Sequence, residues 1–94
     1  MMIMDKQVFL ACSGLQVQTL EVWLEQHWLL PEKTETGWRF SDMDVARARL
    51  IQELAAGFGV NELGIDLILH LVDQMHGLRW ALTQLRQDAP KRDG

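Results

Sequence analysis

The sequence predicts a mainly α-helical domain: a helix-turn-helix, a small two-stranded β-wing and a long C-terminal dimerisation helix. Three observations carry this prediction. Two short apolar-periodic segments flank Ser13-Gly14, and two β-prone pieces flank a polar turn over residues 33–37. One apolar stripe then runs through residues 61–86 with no proline to interrupt it.

The first five residues read as a short strand or a simple lead-in, and residues 7–12 as one or two helical turns stopped by Ser13-Gly14. A second helix is expected over residues 17–27. Its Leu20, Trp23 and Leu24 fall at i, i+3 and i+4, the spacing that gathers apolar side chains on one face. Two helices across so tight a turn have helix-turn-helix dimensions. Trp28-Leu29-Leu30-Pro31 and Trp38-Arg39-Phe40 then bracket a turn containing Thr-Glu-Thr-Gly, the pattern of a small hairpin. Pro31 has no N–H to give a ladder, so its strand must end there or lie at an edge. Ser41 with Asp44 three residues on is a capping-box signature. It should open a third helix reaching Ala56, closed by a left-handed Gly57.

Asn61 suits the N-cap of the last helix, and Glu62 suits its positive first turn. Ile68, Leu71, Met75, Leu78, Leu82 and Leu85 follow at spacings of 3, 4, 3, 4 and 3, a sustained heptad seam. Ile65, Leu69 and Val72 add a second stripe in the first half only. The first half is therefore expected against its own domain, and the seam is expected to form a homodimer interface. Gly77, in mid-helix, costs about 1 kcal/mol relative to alanine and argues against a straight rod.

Ninety-four residues, 48% of them apolar, suffice for one domain, placed over residues 1–87 with an unstructured tail at 88–94. Nine basic residues against thirteen acidic ones leave a net charge of −4, which counts against specific nucleic-acid binding. Cys12 stands alone, so no internal disulfide forms, as suits a reducing cytoplasm. It reads as a small core residue, with no histidine close in sequence to activate it. The opening Met-Met-Ile-Met is broken by Asp5 and Lys6 and does not read as a secretory signal, and no stretch approaches the ~18 apolar residues of a membrane span. A cytoplasmic protein without membrane contact is expected. No phosphate-cradling glycine loop or catalytic triad order is present, so neither an enzyme nor a cofactor is expected. His70, Asp73 and His76, with Asp66 four before His70, share a broad helical face. Residues of this kind on one exposed helix read as a solvated surface, and no metal is assigned.

The order of these elements is that of the MerR-like winged-helix proteins. Leu29-Leu30-Pro31, a polar loop, then Gly37-Trp38-Arg39-Phe40-Ser41 resembles that superfamily's wing segment. Gly64-Ile65, then Leu69, Leu71-Val72-Asp73, Met75 and Leu78-Arg79 resemble the final helix of its chaperone-modulator branch, the CbpM-like proteins. Together the likeness covers roughly residues 7–86. It implies a protein that binds and inhibits the J-domain of a DnaJ/CbpA-like co-chaperone.

The departures from MerR relatives point the same way. Their second helix carries arginines for phosphates and bases; residues 17–26 here carry none, and have Glu21 and Glu25. Between Leu15 and Val45 there are Lys33 and Arg39 against Glu21, Glu25, Glu32, Glu35, Asp42 and Asp44. On this reading the scaffold is kept and the DNA chemistry is gone, although a MerR-type transcription regulator is the alternative. Glu62, Asp66 and Asp73 form an acidic strip on the last helix. It is either a solvated face or a dock for the basic helix that J-domains present to their heat-shock partner. Trp38, in the wing beside Arg39, is either core or a partner anchor, and Trp80, outside the seam, is an exposed aromatic or a second dimer contact.

Overall fold

In the computed structural model, which describes residues 2–88, Asp5 opens the first helix. Its Oδ1 accepts the Val8 N–H at 2.9 Å, satisfying one of the amides that the first turn leaves unpaired. Helix α1 spans Lys6–Ser13 and stops where Gly14 takes φ 75°, returning its N–H to the Leu10 carbonyl. A side chain at that left-handed position would be strained. Helix α2 spans Val17–Glu25, shorter than the expected 17–27. The Trp28 N–H reaches back to the Trp23 carbonyl at 2.9 Å, and His27 adopts φ 60°. This turn swings Trp28 inward, where it lies buried and tilted against Trp23 with ring centroids 6.1 Å apart.

The leading residues form a strand. β1 (Ile3–Met4) pairs antiparallel with β3 (Gly37–Ser41), which also pairs with β2 (Glu32–Thr34), giving the order β1-β3-β2. The wing expected to have two strands thus has three. The free edge of β3 offers unpaired backbone groups, and pairing there sets Met4 opposite Phe40 and buries it.

Phe40 is the centre of the core. It and Phe9 of α1 are both fully buried and stack with centroids 4.2 Å apart and planes within 14°. Around them close Leu20 from α2, Ala48 and Ile51 from the third helix, and Ile65 and Leu69 from the fourth. Cys12 does not join this core as expected: it is exposed, because Phe9 and Ser13, one turn apart, occupy the buried face of α1.

Helix α3 spans Asp42–Gln52 and begins with the expected capping box: Ser41 N–H donates to Asp44 Oδ2 at 2.9 Å. Its end differs from expectation. Residues Glu53–Gly57 widen into a π-helical turn, with the Phe58 N–H on the Glu53 carbonyl at 3.0 Å and the Val60 N–H on the Leu54 carbonyl at 2.8 Å. The wider turn takes in an extra residue. The left-handed position consequently falls at Gly59, φ 66°, not at Gly57.

Helix α4 spans Glu62–Asp88 and is capped by Asn61, whose Oδ1 accepts the Gly64 N–H at 2.8 Å. At about 1.5 Å per residue it is roughly 40 Å long, and it runs through Gly77 without a break. Ile65 and Leu69 are buried against the domain; from Asp73 to Gln87 every side chain is exposed except the half-buried Gln84. The second half leaves the domain behind. Of the tail expected at 88–94, Asp88 still belongs to α4, and residues 89–94 lie outside the described residues.

Candidate functional site

Four surfaces bear on function, and α2 is the first. Leu20 and Trp23 turn inward, which leaves Val17, Gln18, Glu21, Val22 and Glu25 facing out. That is the face a helix-turn-helix presents to a major groove. It carries two carboxylates and no cation. The Lys6 ammonium of α1 comes within 3.8 Å of Glu21, and both are exposed.

The second surface is a trough between the end of α2 and the first half of α4. Trp28 forms its inner wall and donates its indole N–H to Asp66 Oδ1 at 3.3 Å. The Trp28 carbonyl accepts from Nε of Arg47. Arg47, from α3, then grips Asp73 with both terminal nitrogens, at 2.5 and 3.1 Å. Its side chain is largely shielded, at 15% exposure against 43% for that of Asp73. The cavity measures about 370 Å³, with Leu63, Leu67 and His70 on its outer lip. Asp66 and Asp73, expected as free members of an acidic strip, are thus engaged with their own domain. Glu62, the third member, is exposed at the start of the helix. Arg47 and the leucines on the lip carry this site and were not among the expected site residues. Spacing does hold a signal: Asp66 and Asp73 stand three before and four after the buried Leu69, so they border the face that packs.

The wing is the third surface. Trp38 and Arg39 are neighbours in β3 and therefore point to opposite faces of the sheet. Trp38 is half-buried and packs on the core, and the ammonium of its cross-strand neighbour Lys33 lies 5.2 Å from the ring centroid. Arg39 is exposed opposite Glu32. The two do not form one patch.

The fourth surface is the seam on α4. Leu71, Met75, Leu78, Leu82 and Leu85 are all exposed, and Ile68 is half-buried at the border with the domain. Leu63 and Leu67 are exposed as well, but they stand outside the heptad register and line the trough. Trp80 is 66% exposed and stands one heptad beyond Asp73, off the seam. A second groove, about 460 Å³ and largely apolar, lies between α3 and α4 and is lined by Leu30, Met43, Leu50 and Val72.

Among the described residues no group of three or more His, Cys, Asp or Glu side chains is placed to hold a metal ion. His70 pairs with Gln74 across one turn, at 3.1 Å. No helix among the described residues is long and apolar enough to cross a membrane.

A tight helix-turn-helix, an antiparallel wing after it and a capped helix leading to a long projecting one define a winged helix-turn-helix regulatory domain. The chain belongs to the MerR family: the family model described as MerR HTH family regulatory protein matches residues 5–87. No curated protein and no solved structure gives a match.

Proposed function

We propose that this MerR-family chain is a non-enzymatic chaperone modulator that binds the J-domain of a DnaJ/CbpA-like co-chaperone in the cytoplasm and inhibits it. The observation that carries the reading is the outward face of α2, with Glu21 and Glu25 where a DNA reader places cations. Each carboxylate near a phosphate would repel it, and with no arginine on the helix there is no counter-ion release to drive binding. The same charge suits a basic protein surface, where complementary charges steer encounter and set register. The likeness of the last helix to CbpM-like proteins supplies the identity of the partner.

On this reading the protein acts by occlusion: it covers the J-domain surface that the heat-shock chaperone needs, with no bond made or broken. The chain works as a homodimer through Ile68, Leu71, Met75, Leu78, Leu82 and Leu85. Five of these are exposed on one chain, and each leucine fully buried there would contribute roughly 1.5–3 kcal/mol. The test is ATP hydrolysis by the heat-shock chaperone, stimulated by a full-length DnaJ-like co-chaperone. Adding this protein should lower the stimulated rate and leave the basal rate unchanged. An unchanged stimulated rate at saturating protein would overturn the reading.

The helix-turn-helix geometry itself favours a second reading, a DNA-binding regulator of the MerR type. A heparin column at low salt separates the two: strong retention belongs to the DNA reader, negligible retention to the chaperone modulator.

A further inference from the structure

We infer that the trough between α2 and the first half of α4 is the docking site of a basic amphipathic helix. The inference deepens the J-domain reading and rests on it only for the name of the partner. Leu63 is 81% exposed and Leu67, one turn on, is 58% exposed. Two neighbouring leucines left in water beside a concavity form a surface whose burial is favourable. The charges around them are unbalanced. Arg47 is matched by Asp73, which takes up both of its terminal nitrogens. Asp66 gives one oxygen to Trp28, and among the described residues its second oxygen, like the carboxylate of Glu62, has no cationic partner.

Geometry narrows the occupant. Glu62 and Asp66 stand four residues apart, one helical turn. A facing helix with two Lys or Arg side chains one turn apart, flanking an apolar residue, would set each cation on a carboxylate and the apolar residue on Leu63 and Leu67. This is helix-in-groove recognition. Strand addition has no free sheet edge to use here, because the trough is walled by helices. A second copy fits poorly, since the arginines on the far half of α4, Arg79 and Arg86, are seven residues apart. Phosphate-rich partners are repelled by the same carboxylates.

Trp28 is a built-in reporter, because its indole N–H lies in the trough wall on Asp66. The experiment follows the tryptophan indole resonances by nuclear magnetic resonance. A helical peptide with two lysines one turn apart around leucine is titrated into the full-length protein. A twin peptide with glutamates in place of the lysines is run in parallel. The lysine peptide should shift the Trp28 indole saturably and leave Trp80 in place; the glutamate twin should shift neither. Asp66→Asn keeps an oxygen for the Trp28 N–H and removes only the charge, and it should weaken the lysine peptide by about tenfold, equivalent to ~1.4 kcal/mol. Leu67→Ser should weaken it while circular dichroism stays unchanged. A static Trp28 indole, or wild-type affinity in both variants, would overturn the inference. A full-length DnaJ-like co-chaperone titrated in the same way separates the two claims. If the peptide binds at Trp28 and the co-chaperone does not bind, the trough stands and the J-domain reading falls. If the co-chaperone binds and shifts Trp38 instead of Trp28, the J-domain reading stands and the trough is refuted.

Discussion

Trp28 and Asp66, 38 residues apart in sequence, are joined by a hydrogen bond from the indole N–H to the carboxylate at 3.3 Å. Through its carbonyl the same tryptophan also accepts from Arg47, which holds Asp73. One residue at the end of the helix-turn-helix is thereby linked to the long helix at two heights, one heptad apart. The consequence is a fixed angle between α4 and the domain, which sets where the projecting half of α4 presents its leucines.

Arg47→Ala removes both ends of one of these links and leaves the Trp28 carbonyl without its donor. We expect it to destabilise the domain by roughly 1.5–3 kcal/mol, the range for hydrogen bonds to charged groups. Asp73→Asn should lower stability by less than about 1 kcal/mol, because this carboxylate is nearly half exposed and its ion pair is screened. Urea unfolding followed by circular dichroism measures both, and equal losses would show that the ion pair outweighs the bond to Trp28. Reversing both charges, Asp66→Lys with Asp73→Lys, suits an acidic strip that faces solvent. In this structure it would break both links, so it tests the fold before it tests docking.

Two helical glycines are expected to respond to alanine in opposite ways. At Gly77 an added Cβ meets nothing within 4 Å, so Gly77→Ala should stabilise α4 by about 0.5–1 kcal/mol through helix propensity. At Gly64 the Cβ would lie 2.6 Å from Val60 Cγ1 and 3.2 Å from the capping oxygen of Asn61. Val60 packs on the core, so relief must shift a packed side chain or the cap, and overpacking of this kind costs roughly 1–3 kcal/mol. Gly64→Ala should be neutral to destabilising despite the better helix former. Thermal midpoints of the two variants, run side by side, decide the matter.

Local chemistry explains which parts of this fold were legible in the sequence. The capping box at Ser41 and Asp44, the N-cap at Asn61, the apolar row of α2 and the inward stripe of Ile65 and Leu69 on α4 are short-range patterns, and each formed as its spacing implied. The features that differ depend on distant partners or on competing hydrogen bonds. The sequence leaves residues 1–5 open between a short strand and a lead-in, and the free edge of β3 decides for the strand, adding a third to the expected two. The π-helical turn postpones the left-handed residue from Gly57 to Gly59, a choice between two glycines that sequence leaves open. Cys12 is exposed because Ser13 takes the inward position by bonding the local backbone, its hydroxyl accepting the Leu15 N–H at 3.3 Å. The site was legible in half: its carboxylates were recognised, while their engagement by Trp28 and Arg47 arises only when α3 and α4 come together.

The seam on α4 gives a third prediction. Leu78→Asp places a charge in the middle of the proposed interface, on a side chain that is exposed in the single chain. Burying an unpaired carboxylate is far costlier than losing one leucine contact, so the variant should sediment as a folded monomer while the wild type sediments as a dimer. A wild type that stays monomeric at high concentration would remove the seam from the account. A Leu78→Asp chain that no longer folds would show that the two chains depend on one another for stability.

The central claim is that a MerR-family scaffold here recognises protein and not DNA. Calorimetric titration of the full chain into a full-length DnaJ-like co-chaperone, at low and at high salt, tests it most directly. The account predicts saturable binding that weakens as salt screens the carboxylates of the docking face. A parallel titration into duplex DNA should give nothing tighter than non-specific association, weaker than ~10⁻⁴ M at physiological salt. No heat with the co-chaperone, together with nanomolar binding to a particular DNA sequence, would contradict it.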